Sequence, residues 1–227
     1  MKEKIVVFTG AGISAESGLE TFRAETGLWN NHNIVDVCHP IGWHKNPSKV
    51  WAFYNDIRES VRKAEPNEAH LSIARLEEKF DVVVITQNID NLHERAGSTN
   101  VIHLHGEVTK SRSDNAGKCI LYEAGYQPTN VGDYCENGFQ LRPHIVWFDE
   151  SPFYLDEAAR HFINANKVLI IGTSLKVHPA ASLPNLAVTA KDKILIIPED
   201  TVPPHGFELL RGLASKSVPI IVNEWLN

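Results

Sequence analysis

The chain has 227 residues, of which 43% are hydrophobic, and a formal net charge of −6. A chain of this length buries about 70% of the surface that it exposes when unfolded, which predicts one main domain with a sizeable core. The acidic balance argues against a nucleic-acid-binding face, and no apolar run approaches the ~20 residues that span a bilayer, so we expect neither nucleic-acid nor membrane partners.

The cysteines indicate a reducing compartment. Cys38, Cys119 and Cys135 are odd in number and lack the spacing of a secreted disulfide framework. The apolar run at residues 5–8 follows the start too closely to belong to a cleavable signal. We therefore expect a cytoplasmic protein, and we expect it to be a monomer.

Four short apolar runs predict the strands. They lie at residues 5–8, 82–85, 168–171 and 194–197, are rich in Val and Ile, and show no polar alternation, which is typical of strands covered on both faces. Helical segments are predicted between them at residues 50–61, 67–78, 154–164 and 179–190, with Asn67 as an N-cap. This alternation predicts an α/β fold with a doubly wound, parallel, Rossmann-like sheet.

One region breaks the pattern. Residues 107–142 are polar and glycine-rich, with scattered aromatic residues and no strong periodicity. We expect a single domain over residues 1–227 in which residues 107–142 form a small inserted lobe.

A glycine motif follows the first predicted strand. Gly10-Ala11-Gly12-Ile13-Ser14-Ala15 fits the G-x-G-x-x-A variant of the dinucleotide-binding fingerprint, in which glycines let backbone amides approach a diphosphate. Alone, the match also fits a turn that merely joins a strand to a helix. The next convincing strand comes only at residue 82, so a long loop carrying Phe22 and Arg23 replaces the second strand of a dehydrogenase half. This arrangement suits cleavage of a cofactor better than hydride transfer.

Six sequence blocks occur here in the order in which they occur in sirtuins. They are GAGIS continuing to GLETFR (10–23), PNEAH (66–70), TQNIDNLH (86–93), HLHG (103–106), RPHIVWF (142–148) and GTSLKVHPA (172–180). The chain thus resembles the sirtuins, NAD-dependent protein-lysine deacylases, and within them the bacterial subgroup related to desuccinylases and deacetylases. The resemblance implies NAD as cofactor, acyl-lysine proteins or peptides as partners, transfer of the acyl group to ADP-ribose and release of nicotinamide.

The resemblance also assigns the catalytic residues. His105, followed by Gly106, matches the general base that takes a proton from the ribose diol. Asn88 would orient the ribose and a water, and Asp90 would accept hydrogen bonds from the nicotinamide carboxamide. We expect His103 to be structural and His93 to be a surface residue of a short helix.

The residues expected to contact the cofactor form a larger set. Two glycine turns would hold NAD, Arg23 would contact the diphosphate or close the loop, and Phe22 would cover the nicotinamide. Asp200 stands near the place where the family usually has an asparagine that touches the adenosine ribose. The full set is Gly10, Ala11, Gly12, Ser14, Ala15, Phe22, Arg23, Gln87, Ile89, Gly172, Thr173, Ser174 and Asp200.

The peptide and its acyl group would contact a further set. The substrate backbone would add as a strand between Val146-Trp147-Phe148 and Leu175-Lys176-Val177, although Trp147 fits ordinary core packing equally well. Asp149 replaces the usual glycine after this phenylalanine, which either favours basic peptide flanks or hinders close approach.

The acyl pocket departs from the subgroup that removes succinyl groups. Those enzymes grip the carboxylate with a Tyr and an Arg three residues apart, whereas this chain has Tyr54, then Ile57, and Arg58 one position later. Either Arg58 swings in or Ile57 makes the pocket apolar, and Cys38 is small enough to leave depth or is buried filler. We expect neutral acyl groups to be preferred over succinyl.

The zinc lobe of the family is also altered. Sirtuins commonly carry two Cys-x-x-Cys pairs, but only Cys119 and Cys135 stand in this region. We expect no zinc and a lobe packed by Ile120, Leu121, Tyr122, Tyr126 and Phe139.

Two other functions remain open. Protein ADP-ribosyl transfer uses the same cleavage of NAD, and a binding module could sense NAD or ADP-ribose without turnover. The presence of Asn88, Asp90 and His105 argues against a sensor, because sensing alone needs no base at the ribose.

Overall fold

The structure is a computed structural model that describes residues 2–21, 32–115 and 118–227; Phe22 and Arg23 lie outside these ranges. In chain order the described elements are β1 (Lys4–Thr9), α1 (Gly12–Ala15), α2 (Ile34–Val37), α3 (Pro40–Lys45), α4 (Pro47–Lys63), α5 (Glu68–Arg75), a 3₁₀ turn (Leu76–Glu78), β2 (Asp81–Thr86), α6 (Leu92–Arg95), β3 (Val101–His103), β4 (Gly106–Asn115), β5 (Lys118–Glu123), β6 (Leu141–Ile145), α7 (Leu155–Ile163), β7 (Lys167–Ile171), a 3₁₀ helix (Ala180–Leu186), β8 (Asp192–Ile197), β9 (Glu208–Arg211) and α8 (Ala214–Leu226).

The main sheet confirms the predicted fold class. Within the described residues it has six strands in the order β3-β2-β1-β7-β8-β9, and every neighbouring pair is parallel. The run Ile5 to Phe8 of β1 is fully buried because helices cover both faces of the sheet. Helices α5 and α8 pack on one face, and α7 with the Ala180–Leu186 helix packs on the other. The chain order changes direction between β1 and β7, which is where such sheets bind ligands.

The predicted strands and three of the four predicted helices form where expected. Asn67 caps α5, since its side chain accepts from the Ala69 amide and His70 reaches back to the Asn67 amide. The helical segment predicted at residues 179–190 is shorter than expected and is a 3₁₀ helix, Ala180–Leu186, which contains Pro184. Proline has no N–H to donate and clashes with the preceding turn, which disfavours a continuous α-helix. Strands β3 and β9 and helix α8 were not predicted.

A three-stranded antiparallel sheet in the order β5-β4-β6 occupies the region predicted as an inserted lobe. Strand β4 consists mostly of polar residues, so it shows no periodic apolar pattern from which a strand could be predicted. The expected apolar packing was partly wrong, because Leu121 and Phe139 are exposed. Instead Cys135 and Leu141 pack with Trp51 of α4. The long helix α4 therefore anchors this sheet to the rest of the domain.

Among the helices that the structure describes, none is long and apolar enough to cross a membrane.

Candidate active site

Four neighbouring strands of the main sheet end at the same edge and bring the predicted site residues together. The turn after β1 and the start of α1 carry Gly10 to Ser14, and the loop after β2 carries residues 87–90. His105 follows β3, and residues 172–174 follow β7. Lateral hydrogen bonds tie these loops, since the Gln87 amide donates to the Thr9 carbonyl and the Gly10 amide to the Ile171 carbonyl, at 2.9 and 3.0 Å. The parallel register therefore assembles the site from four separate segments.

The two glycine turns touch backbone to backbone. The Gly12 amide donates to the Gly172 carbonyl at 2.9 Å. A Cβ at Gly12 would lie 2.7 Å from the Gly172 Cα, and one at Gly172, where φ is +62°, would lie 2.4 Å from the Ile13 nitrogen. Side chains at these positions would push the turns apart. The glycines thus leave a strip of bare backbone at the edge of the sheet, as a diphosphate requires.

Beside this strip lies a buried polar cluster of Ser14, Asn88 and Asp90. The Ser14 hydroxyl donates to Asp90 Oδ2 at 3.0 Å, and the Asn88 amide nitrogen lies 3.2 Å from Ser14 Oγ and 3.3 Å from the Gly10 carbonyl oxygen. Burial raises the pKa of Asp90, although donors from the Leu92 amide and Ser14 oppose the shift. A carboxylate accepts about four hydrogen bonds. Asp90 can therefore accept a further donor from a ligand.

His105 has the geometry of a base, since among the described residues only its Nδ1 has a hydrogen-bond partner. Its Nδ1 lies 3.0 Å from the Gln87 carbonyl oxygen, so Nδ1 carries the proton and Nε2 carries the lone pair. Burial lowers the pKa of His105, although the bond to Gln87 opposes the shift, and the ring is neutral at pH 7. The Gln87 side chain accepts from the Thr173 hydroxyl at 2.7 Å. The loops after β2 and β7 thus jointly fix the imidazole.

His103 lies beneath the Asn88 loop. Its Nε2 is 2.7 Å from Glu94 Oε1, and its Nδ1 is 3.0 Å from the Asn88 carbonyl oxygen. Burial alone would lower the pKa of His103, but the hydrogen bond and charge of Glu94 outweigh it and raise the pKa. Because both ring nitrogens face acceptors, the imidazolium supports the loop instead of acting as a base.

The expectation that His93 is a surface residue was wrong. The side chain is 1% exposed, its Nε2 lies 3.0 Å from Thr9 Oγ1, and its ring stands edge-on to His70 at 4.9 Å between centroids. Thr9 donates to Thr86, whose hydroxyl in turn accepts from the Asn88 amide at 3.0 Å. These supporting residues were missed by sequence reasoning. The available signal was a threonine at the end of each of two apolar strands.

The expected acyl pocket surrounds the hydroxyl of Tyr54. Its oxygen accepts from the Trp147 indole N–H at 3.1 Å and lies 3.4 Å from the Cys38 sulfur. Burial raises the pKa of Tyr54 well above its ordinary range and that of Cys38 to about 12, so both groups stay neutral. Ile57 packs against the same apolar cluster. Trp147 is 2% exposed, so it serves both as core filler and as a hydrogen-bond donor to Tyr54.

Arg58 forms hydrogen bonds with residues of the small lobe. Nε donates to the Val108 carbonyl at 2.8 Å, and Nη1 donates to the Gln127 carbonyl at 2.7 Å and to Thr129 Oγ1 at 3.1 Å. The side chain is 1% exposed, and burial lowers its pKa to about 10. Arg58, one step along α4 from Ile57, is thus held to the lobe through Nε and Nη1, while Nη2 is buried without a partner among the described residues.

The two predicted peptide edges are placed differently in the fold. The amides of Val146, Trp147 and Phe148 already donate to the His105 carbonyl, the Glu150 carboxylate and the Cys38 carbonyl. A substrate strand added on this side would therefore have to pair with the carbonyl groups of these residues.

On the other side, Leu175 has φ +52° and Val177 is exposed. Asp149, at φ +67°, lies 2.9 Å from His39 Nε2, measured from its Oδ2. The exposed Asp149 carboxylate is thus partly engaged by a neighbouring loop.

Some predicted cofactor residues lie at the margin of the cluster. Ala15 is exposed, Ala11 and Ser174 are half-buried, and Ile89 packs against the apolar cluster around Tyr54. Asp200 is exposed and pairs with Arg211. Its expected contact with the adenosine ribose competes with this ion pair and stays a prediction, as do the roles of Phe22 and Arg23.

The small lobe contains two cysteines within the part of the chain that the structure describes. Cys119 is exposed, Cys135 is buried, and both are free thiols. In the described ranges, no three His, Cys, Asp or Glu side chains lie close enough together to hold a metal ion. Two thiols do not complete the tetrahedral set that zinc requires.

By contrast, the edge of the main sheet fits a dinucleotide. It combines the glycine turns that a Cβ would obstruct, the buried acceptor Asp90 and the neutral imidazole of His105.

Known proteins are similar to this chain in sequence and in fold. Residues 10–179 match the Sir2 family. The chain is 48% identical over 212 residues to an NAD-dependent protein deacylase of Aggregatibacter actinomycetemcomitans, covering 93% of this chain and 100% of that protein. It is 42% identical over 222 residues to an NAD-dependent protein deacylase of Bacteroides thetaiotaomicron, covering 95% of each. A solved Sir2 homolog in complex with NAD superposes with a TM-score of 0.85 at 38% identity, over 98% of this chain and 89% of that one. As the motifs predicted, the chain belongs to the Sir2 family.

Proposed function

We propose that the chain is an NAD-dependent protein-lysine deacylase that transfers the acyl group of a modified lysine to ADP-ribose and releases nicotinamide. The observation that carries this proposal is the neutral His105, whose Nδ1 is held by the Gln87 carbonyl while its Nε2 is available, at the edge that also holds Asn88 and Asp90. The names of the deacylase relatives support it.

When bound, NAD supplies a ribose carbon that nicotinamide leaves and an amide oxygen of acyl-lysine can approach. The bare backbone of Gly10 and Gly12 would lie against the diphosphate, and Gly172 with Ser174 would lie against the adenosine side. Asp90 would accept from the carboxamide, because its carboxylate has capacity beyond the Ser14 and Leu92 donors. Such contacts would orient the bound cofactor, and orientation matters most for a reaction whose nucleophile is weak.

His105 would then act as the base. Its Nε2 would take a proton from a ribose hydroxyl, and the Nδ1–H bond to the Gln87 carbonyl would stabilise the positive charge on the ring. Asn88 would orient the ribose from its position between Gly10 and Ser14. Burial around these groups excludes water, which would otherwise compete with the acyl oxygen.

We further propose that the acyl pocket prefers neutral groups, acetyl or somewhat longer, over succinyl. Ile57 stands in an apolar cluster, and the Arg58 guanidinium is engaged by Val108, Gln127 and Thr129. A substrate carboxylate in this pocket would be desolvated without a cation, and an unpaired buried charge is costly. The hydroxyl of Tyr54 offers one neutral donor in its place.

The same proposal covers the setting of the reaction. The partner would be an acyl-lysine protein or peptide seated between residues 146–148 and 175–177. The protein would act as a cytoplasmic monomer, without zinc in its small lobe and within a single domain over residues 1–227.

Mass spectrometry of the acceptor peptide tests the proposed function. Incubating an acetyl-lysine peptide with the protein and NAD should yield free lysine and acetylated ADP-ribose. A peptide that keeps its acetyl group and gains ADP-ribose would replace the proposal with protein ADP-ribosyl transfer. A matched succinyl-lysine peptide tests the acyl preference, since faster succinyl removal would contradict it.

A further inference from the structure

The loop after β6 folds back on itself through the side chain of Glu150. The Glu150 amide donates to the Trp147 carbonyl at 3.0 Å, and the Glu150 carboxylate accepts from the Trp147 amide at 2.8 Å. Trp147 is thus bound twice by one residue. The turn is tight, since Asp149 between them has φ +67°.

Two arginines hold the Glu150 carboxylate in place. Arg142 donates in bidentate fashion, with Nη1 to Oε1 at 2.7 Å and Nη2 to Oε2 at 3.0 Å, and Arg112 Nη2 lies 3.3 Å from Oε1. Arg112 of β4 and Arg142 of β6 are direct cross-strand partners. Like charges in such a pair repel each other, and the carboxylate that contacts both arginines offsets this repulsion.

The Arg142 guanidinium also lies on Trp147. Its central carbon is 3.4 Å from the centre of the indole ring. The indole N–H then donates to the Tyr54 hydroxyl, which lies 3.4 Å from the Cys38 sulfur. A continuous chain of contacts therefore runs from Glu150 to the expected acyl pocket. Because the Tyr54 oxygen accepts from Trp147, its own proton is left to point toward Cys38 or toward an acyl group.

We propose that Glu150 and Arg142 are positioning residues for the acyl-lysine substrate, acting through Trp147 on the hydroxyl of Tyr54. This proposal rests on the proposed deacylase function. In this proposal, an ion pair outside the pocket fixes the orientation of the Tyr54 hydroxyl, which is the neutral donor of the pocket. Its consequence is that disturbing the ion pair weakens binding of the acyl-lysine peptide and leaves binding of NAD unchanged.

The variant Glu150→Gln tests the proposal. Its carboxamide still accepts from the Trp147 amide but no longer neutralises the two arginines. We expect the KM for an acetyl-lysine peptide to rise about tenfold, as for a lost charge-assisted hydrogen bond, while the KM for NAD changes less than about twofold. Asp81→Asn is the control, because Asp81 pairs with Lys4 at 2.8 Å at the opposite end of the sheet and should change neither KM.

Trp147→Phe provides a second route that leaves the ion pair intact. It removes the indole N–H, so the peptide KM should again rise, and combining it with Glu150→Gln should add less than about twofold, because both changes break the same chain of contacts. An unchanged peptide KM in both variants, or an equal rise in the NAD KM, would overturn the proposal.

If the native chain releases no free lysine, the proposed function fails, and calorimetric binding of the acetyl-lysine peptide then tests the positioning role alone. A dissociation constant about tenfold larger for Glu150→Gln than for the native chain supports the positioning role. An unchanged dissociation constant overturns it.

Discussion

Replacing Arg58 by methionine should destabilise the protein without harming the removal of acidic acyl groups. The side chain makes charged hydrogen bonds to Val108, Gln127 and Thr129 at 2.7–3.1 Å, each worth ~1.5–3 kcal/mol. Burying the guanidinium opposes this gain, since lowering its pKa from 12.5 to about 10 corresponds to about 3 kcal/mol. The hydrogen bonds outweigh this cost, because methionine would leave the buried Val108 carbonyl without its Arg58 donor.

We therefore expect a net loss of about 3 kcal/mol, in line with the usual cost of breaking a buried charged interaction. For a chain of this size that corresponds to a fall in Tm of roughly 6–12 °C, measured by thermal denaturation. Arg62→Met is the matched control, one turn further along α4, where the side chain is half exposed and pairs with Glu59. That change should leave the Tm nearly unchanged, because an exposed ion pair contributes little to stability.

Two results would contradict this account of Arg58. Equal Tm values for Arg58→Met and Arg62→Met would show that Arg58 does not anchor the lobe. A selective loss of succinyl removal with unchanged Tm would instead place the Arg58 guanidinium in the acyl pocket.

Three further predictions concern the pocket, the acid limb of stability and the cofactor. Ile57→Arg, three residues after Tyr54, should raise the ratio of succinyl to acetyl removal by about tenfold through a carboxylate contact, and an unchanged ratio in paired initial-rate assays would contradict the pocket assignment. Burial lowers the pKa of His70 to about 4, so its unfolded form binds more protons below about pH 6.5, and native stability should fall by about 2 kcal/mol between pH 7 and pH 5. In urea unfolding, the free energy of unfolding of His70→Gln should fall by about 2 kcal/mol less than that of the native chain over this pH range. The same fall in both proteins would refute the prediction. Gly172→Ala should raise the KM for NAD at least about tenfold, because its Cβ would meet the Ile13 backbone. Gly125→Ala, at φ +57° in open space, should not, and equal effects would contradict the backbone-contact argument.

The parts of the fold with a local signal could be predicted from sequence. The run at residues 82–85 is apolar and β-branched, and it forms β2 because both faces of the sheet are covered. The glycine turn was recognisable because Gly12 follows a strand directly. The choice of His105 over His103 came from the family pattern, and the hydrogen bonds to Gln87 and Glu94 now give it a physical reason.

The missed features depend on contacts distant in the chain. Arg58 meets Gln127, 69 residues away, so its adjacency to Ile57 suggested a pocket role that the fold redirects to the lobe. His93 lies on a four-residue helix whose burial depends on Thr9, 84 residues earlier. A local sequence pattern contains no information about either contact. The segment 179–190 was apolar enough for a helix, but Pro184 and the packing against α7 made it 3₁₀.

The central claim is that the imidazole of His105 is the base in an acyl transfer that consumes NAD. The most direct measurement is nicotinamide release and free-lysine formation with and without an acetyl-lysine peptide, for the native chain and His105→Ala. The native chain should form both products in equal amounts only when the peptide is present, and His105→Ala should form free lysine at least about a hundredfold more slowly. Deacetylation by His105→Ala at the native rate would contradict the account.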